Sequence, residues 1–568
     1  MTTFATDLYL LVAAYGLAVA VSYAGLPVLG QGAFVAIGAF GTAQFASHSV
    51  PLGVAVIAAV SIAAVTGYLV GFAAARLAGA SLALATWALA WLAYTALVVF
   101  PSLGGGAQGI TRPTPARLVS PALGVTVSLE PWVHVVIASV LAVLIGVALA
   151  RSARTAWGVD LAALRTGPVL AESLGVPVQR RRRSLMAVAA ALGAVGGAGT
   201  AVLLGVVAPV DYSPLLSLQL FVAVLVGTSA SWWGPPVGVA LLAALPDTAD
   251  GVARLINVDA LRARAVLTAL LLVVVLVVRR PLHRLLAMRR PRSAPRLPEP
   301  RVEQHPTTQS LLLELRNVRS SYGAVSVLDG LDLDLHAGEV HALVGPNGSG
   351  KSTALRIAAG VVRPDAGEVR ILGQQAASRR GAAARVRAGV ARTLQQTMAL
   401  GNLDAATQTA VGARARERLS HVGLRELLAT PQGRGIADRR AATVAAALSS
   451  VDLDTRADVA TSHLNSGEQR LLQIARCVAT GAPALLLDEP AAGMSPAQRR
   501  HLVGVLRSLA DRGLGVLIVE HDMGLVGRVA DRVTVLSEGR VLASGAPADV
   551  RRDPAVARAY LGMDPVTG

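Results

Sequence analysis

No Asp, Glu, Lys or Arg occurs between Asp7 and Arg76, or between Arg76 and Arg112, and a chain with uncharged stretches this long has few places to put them. Further uncharged runs separate Glu130 from Arg151, Arg183 from Asp211, Asp211 from Asp247 and Arg264 from Arg279; beyond Arg279 they stop. A hydrocarbon core about 30 Å thick takes about 20 apolar residues to cross. The runs predict membrane-spanning segments at about 8–24, 28–46, 51–75, 80–100, 132–150, 184–207 and 264–279, with a soluble domain after them. At 568 residues the chain exceeds one ordinary domain, and it divides into a transmembrane domain at 1–285, a linker at 286–310 and a soluble domain at 311–568. Pro291, Pro295, Pro298, Pro300 and Pro306, interspersed with Arg, make the linker read as an extended tether.

The interval 217–245 breaks the pattern. Its apolar parts, Ser217 to Thr228 and Gly234 to Leu245, are split by Ser229-Ala230-Ser231-Trp232-Trp233-Gly234-Pro235-Pro236. At about 1.5 Å per residue each half reaches roughly 18 Å, short of a full crossing. The Arg clusters at 151–183 and 279–296 and the soluble domain belong on the cytoplasmic side, so the broken pair must enter and leave on one side. Irregular backbone at membrane depth is tolerated where it is buried in protein or lines an aqueous cavity. Gly227 to Gly238 therefore either lines a solute path or is a kinked packing helix. The small residues Gly193-Ala194-Val195-Gly196-Gly197-Ala198-Gly199 read as close helix packing. The loop Ser102 to Ile110, with Gly104-Gly105-Gly106, is expected outside and flexible. Val159 to Val176 is polar enough for a cytoplasmic loop with a short helix, either a lever between membrane and soluble domain or a plain connection.

The formal net charge of +17 does not point to nucleic acid, because Arg gathers beside the apolar runs, where it suits anionic membrane lipid. Cys477 is the sole cysteine, which rules out an intrachain disulfide, and it reads as a small packed hydrophobe. The first apolar run follows Asp7, not a basic stretch, and reads as a retained anchor instead of a cleaved leader.

The strongest motif is Gly345-Pro346-Asn347-Gly348-Ser349-Gly350-Lys351-Ser352-Thr353, set between the apolar run Val340 to Val344 and a helical stretch. Strand, glycine loop and helix in that order are what phosphate capture requires: backbone amides wrap the phosphate oxygens, Lys351 adds a compact cation and the Ser352 hydroxyl can ligate Mg2+. Lys351 is the only lysine in the chain, although basic residues are plentiful, and a planar guanidinium cannot replace a slim ammonium there. A second piece, Ala484-Leu485-Leu486-Leu487-Asp488-Glu489, is an apolar strand ending in two carboxylates, Asp488 to hold Mg2+ and Glu489 to polarise an attacking water.

On these motifs residues 311–568 resemble an ABC ATPase throughout. The resemblance implies that Tyr322 stacks on adenine, that Gln395 senses Mg2+ and the membrane domain, and that His521 contacts the γ-phosphate. It also implies that Asn465, Ser466, Gly467 and Glu468, in Leu464-Asn465-Ser466-Gly467-Glu468-Gln469, form the signature that meets ATP bound by the opposite subunit. Catalysis would rest on Glu489, His521 and Lys351, and the metal on Ser352, Gln395 and Asp488. Asn465 stands where Ser is usual, which leaves the signature looking weakened, and Ser495 stands where Asp or Asn is common.

Ala391-Arg392-Thr393-Leu394-Gln395, Asp488-Glu489-Pro490-Ala491-Ala492-Gly493 and Ala559-Tyr560-Leu561-Gly562 resemble the branched-chain amino acid importers. Residues 8–280 resemble their permease in Gly30-Gln31-Gly32-Ala33-Phe34, Ile37-Gly38-Ala39-Phe40, Gly106-Ala107-Gln108-Gly109-Ile110, Ala171-Glu172-Ser173-Leu174-Gly175-Val176 and Gly227 to Gly238. The fold class expected is a multidomain chain: an all-α polytopic membrane domain, then an α/β P-loop ATPase with a helical subdomain. The resemblance implies ATP-driven import across the cytoplasmic membrane of a solute delivered by an extracytoplasmic binding protein. It also implies a second ATPase and permease subunit, identical or related. The alternatives are other small cargo such as urea, short amides or polar acids, or a tethered ATPase without a transport role.

Overall fold

The computed structural model describes all residues except 75–76, 78, 112–116, 121–124, 153–154, 227–232, 257–309, 377–380, 396–402, 418–421, 429 and 562–568. The expected span at 264–279 and the linker body thus lie outside the described residues. The chain forms two compact units, Met1–Arg154 with Gln179–Pro291, and Thr155–Val178 with Arg292–Gly568.

In the first unit the uncharged runs become helices, since without water a backbone amide is satisfied only within its own segment. Five helices among the described residues are long and apolar enough to cross a membrane: Thr2–Tyr23, whose last turn is a π-helix, then Leu52–Ala74, Ala80–Val99, Pro131–Ser152 and Val178–Leu204. The expected second span is a buried 17-residue helix, Gln31–Ser47. Helix Val178–Leu204 packs against its neighbours through glycine. A Cβ on Gly197 would lie 1.9 Å from the Val35 carbonyl oxygen, and one on Gly196 2.6 Å from that of Tyr9.

The broken pair is two helices, Pro214–Val226 and Gly234–Ile256, with 227–232 outside the described residues. The second runs eleven residues past the expected end at Leu245, because backbone hydrogen bonding continues after the apolar stretch stops. The glycine loop Ser102 to Ile110 takes defined turns. Gly105, Gly106 and Gly109 take φ of 70°, 67° and 75° to close its turns, and Ile110–Thr111 pairs antiparallel with Val206–Val207.

In the second unit, strands β1 (Leu311–Tyr322), β2 (Val325–His336), β3 (Val340–Val344), β4 (Ala366–Ile371), β5 (Val390–Arg392), β6 (Ala484–Asp488), β7 (Gly515–Val519), β8 (Arg532–Ser537) and β9 (Arg540–Gly545) build two sheets. One is antiparallel, in the order β2-β1-β4 followed by Gln374–Gln375; the other runs β5-β6-β7-β3-β8-β9 and is parallel except for β9. Strands β3, β6 and β7 are buried at every residue, which is why they read as unbroken apolar runs. Helix Lys351–Ala358 joins the sheets through one core that includes Leu315, Leu335, Leu355, Ile357, Leu486 and Leu517. A helical layer comprises Ala405–Ala413, Val422–Leu427, Pro431–Ser449 and Ser466–Ala479. Buried Cys477 sits on the last of these, and burial pushes its thiol up to about 12, so it is a packed hydrophobe. Helices Ala156–Thr166 and Pro168–Ser173, flanked in sequence by membrane helices, also belong to this unit.

Candidate nucleotide site

Parallel register brings the sequence motifs together. Asp488 pairs beside Val519, and Val519 beside Leu343, so β6, β7 and β3 finish level. Their C-terminal ends lead into Glu489, into Glu520 and His521, and into the phosphate loop, along the sheet edge where open α/β folds bind ligands. Gly348 and Gly350 take φ of 84° and 102°, which side chains rarely adopt, and a Cβ on Gly345 would lie 2.1 Å from the Leu536 carbonyl oxygen. Lys351 is buried, and its Nζ donates to the carbonyls of Gly345 and Pro346, each at 2.7 Å. Burial pulls its ammonium below the ordinary lysine range, while the charge of Glu489 works the other way. The Ser349 and Thr353 side chains are buried, and Ser352 is exposed on the first helical turn.

Asp488 is 2% exposed. Its Oδ2 accepts from Arg392 Nη2 at 2.9 Å, its backbone N–H donates to Thr393 Oγ1 at 3.1 Å, and its Oδ1 is buried without a hydrogen-bond partner. An orphaned carboxylate oxygen beside the exposed Ser352 hydroxyl's loop fits Mg2+. The described residues hold no cluster of three or more His, Cys, Asp or Glu, so beyond Asp488 such an ion would take neutral oxygens, from side chains such as Ser352, from phosphate and from water. Glu489 has a φ of +46°, a strained conformation for a residue with a side chain, and Oε1 stands 3.3 Å from His521 Nε2. Buried Glu520 accepts from the N–H groups of Ala491 and His521, and burial holds its carboxyl above the usual range. A carboxylate and an imidazole held this way at a phosphate loop can polarise a water and contact a phosphoryl oxygen.

The other expected residues lie on neighbouring elements. Tyr322 ends β1 and is half exposed. Gln395 follows β5 on the surface, its carbonyl accepting from Arg470 Nη1 at 2.8 Å. Asn465 caps helix Ser466–Ala479: its Oδ1 accepts from Glu468 N–H and its own N–H donates to Glu468 Oε2, both at 2.9 Å. Ser495 caps helix Pro496–Asp511 in the same way with Gln498, whose Nε2 also donates to Asn465 Oδ1 at 3.1 Å. A Cβ on Gly467 would lie 2.5 Å from Gln498 Nε2, so the glycine makes room for this contact. The two departures from the family pattern are thus both residues that cap helices well, and they meet through one glutamine.

Sequence reasoning gave no role to Arg392, Thr393 or Glu520, which orient Asp488 and the Glu489 turn. Polar residues next to fully buried strands are the signal that could have found them.

This geometry defines a P-loop ATPase of the ABC type. Residues 328–492 match the family described as ABC transporter, residues 2–276 the branched-chain amino acid transport system permease component, and residues 540–562 the branched-chain amino acid ATP-binding cassette transporter. The chain is 33% identical to the high-affinity branched-chain amino acid transport ATP-binding protein LivG of Escherichia coli (strain K12) over 253 residues, 44% of this chain and 98% of LivG. It is 33% identical to BraF of Pseudomonas aeruginosa, a protein of the same description, over the same shares. A solved nucleotide-free ATP-binding cassette from an ABC transporter shares 24% identity at a TM-score of 0.39, covering 44% of this chain and all of that one. The chain belongs to the ABC transporter family, in its branched-chain amino acid branch, with permease and ATPase fused in one polypeptide. It is a membrane protein that binds ATP and couples its hydrolysis to transport.

Proposed function

We propose that this chain imports branched-chain amino acids across the cytoplasmic membrane. The observation carrying the proposal is that a permease region and an ATPase region, each similar to branched-chain amino acid transport proteins, occupy one chain. Phosphate binding falls to the amides of Gly345 to Thr353 and to Lys351, adenine to Tyr322, and water activation to Glu489 with His521 beside it. Asp488 and Ser352, with Gln395 in the turn after β5, would hold Mg2+, which would supply charge to bind and polarise the phosphates. Asn465 to Glu468 serve the ATP of a second subunit, either another copy of this chain or a related one, so two ATPases close on two nucleotides. An extracytoplasmic binding protein delivers the solute. The loop at 155–178 is the lever, a role supported by its place in the ATPase unit.

The test is leucine uptake by vesicles holding the chain with a binding protein, compared with Glu489→Gln. The substitution should lower ATP turnover about 10²–10⁴-fold while ATP still binds. Steady hydrolysis by that variant defeats the catalytic assignment, and ATP-driven uptake of another small solute but not leucine defeats the substrate.

A further inference from the structure

We infer that Asp160 and Arg414 form a buried latch by which the cytoplasmic loop of the permease selects and holds its ATPase. The inference rests on the lever reading of 155–178 but adds the chemistry of the joint. Asp160 lies on helix Ala156–Thr166, which the sequence places between two membrane helices, and it is 1% exposed. Arg414, 3% exposed, follows helix Ala405–Ala413 of the ATPase. Its Nη2 donates to Asp160 Oδ2 at 2.8 Å and its Nε to Oδ1 at 3.2 Å, a bidentate pair joining residues 254 apart in sequence.

The arginine is pre-set from the ATPase side. Its Nη1 donates to Glu417 Oε2 at 2.6 Å, and Glu417 Oε1 accepts from Arg440 Nε at 2.7 Å. Arg440 also bonds Glu426. The relay therefore ties helices Ala405–Ala413, Val422–Leu427 and Pro431–Ser449 together before the loop arrives. Arg414 would keep one carboxylate if Asp160 were absent, so the ATPase does not depend on the latch to fold. The converse does not hold. A carboxylate buried without its cation is strongly unfavourable, so a loop carrying Asp160 docks only where a guanidinium waits.

The loop also buries apolar side chains. Leu161, Leu164, Leu170 and Leu174 are each under 5% exposed. Hydrophobic contact of this kind is non-directional, whereas a bidentate ion pair requires one residue type in one place. The latch is thus the part of the joint that discriminates: it fits an ATPase with arginine at this position and rejects one with a neutral or acidic residue. Helix Ala405–Ala413 in turn contacts the signature helix, where Arg476 bonds Gln408, so the latch bears on the layer carrying Asn465.

The test uses the full chain with a protease site inserted in the Pro- and Arg-rich stretch 292–309, cleaved after reconstitution into vesicles and washed. The ATPase half of the parent chain should stay on the membrane. Asp160→Ala should release it at least tenfold more readily, Arg414→Lys to an intermediate degree, and Asp160→Glu least of the three. Equal retention by the parent and Asp160→Ala overturns the latch, as does equal release. If uncleaved Asp160→Ala no longer binds a fluorescent ATP analogue, Asp160 serves folding and the proposal also fails. The readout needs no solute, so failure of leucine uptake leaves it standing.

Discussion

The membrane unit and the ATPase unit differ in how their buried contacts close and in what their outer faces carry. Between helices Gln31–Ser47 and Val178–Leu204 the contact is backbone on backbone, with Gly38 set against the Ala194 carbonyl and Gly197 against that of Val35, while Ile57, Leu69, Leu92 and Leu144 face outward. In the ATPase, leucines such as Leu313, Leu343, Leu486 and Leu517 fill the core. Water drives leucine inward because apolar surface is costly to hydrate, at about 25 cal/mol per Å2. Lipid offers no such force, so membrane helices associate where small residues allow close approach. The two interiors thus differ at their closest contacts, glycine against backbone in one and leucine against leucine in the other.

The contrast can be broken from either side. The largest effect is expected from Gly197→Leu, whose side chain would have to displace the Val35 backbone. Overpacking usually costs about 1–3 kcal/mol, and a clash with backbone should exceed that and abolish uptake, with ATP binding kept. Uptake at the parental rate would show that the helices do not touch as described. Next, Leu517→Ala should lower ATPase stability by about 2–5 kcal/mol in thermal melts, whereas Leu92→Ala, 66% exposed on a membrane helix, should stay within about 0.5 kcal/mol. Similar losses at both positions would refute the two-interior account.

A smaller effect concerns His341, buried in β3, with Nδ1 2.9 Å from the Asp334 carbonyl and Nε2 2.8 Å from Thr534 Oγ1. Burial, reinforced by the Arg532 charge, pushes its imidazole down to about 4 from 6.5. A depressed folded-state value means that the unfolded chain takes up the proton first. The stability is full above pH 6.5 and is lost as pH falls toward 4, about 2 kcal/mol by pH 5 at about 1.4 kcal/mol per unit. Thermal melts of the ATPase transition at pH 7.5 and 5 should show this loss, and His341→Gln should remove it. A parental slope in that variant would assign the acid sensitivity to other groups.

Legibility followed sequence distance. Lys351 and its loop were readable because strand, turn and helix are contiguous and each glycine answers a local geometric need. Glu489 was readable because an apolar strand ends on it. Arg392 clamps Asp488 across 96 residues and Asp160 meets Arg414 across 254, and no local pattern announces either pair. Asn465 and Ser495 show a subtler case. Against the family pattern both are departures, and each supplies the side-chain oxygen its helix start needs; only folded contact shows Gln498 joining them.

By itself the sequence determined that this chain crosses a membrane and carries a phosphate loop, because charge-free length and the order strand, glycine loop, helix are properties of consecutive residues. Tertiary structure alone decided that a stretch between two membrane helices belongs with the ATPase and that its aspartate is buried against an arginine. Burial and charge pairing depend on which distant segments share a low-dielectric interior, and that is settled only when the chain has packed.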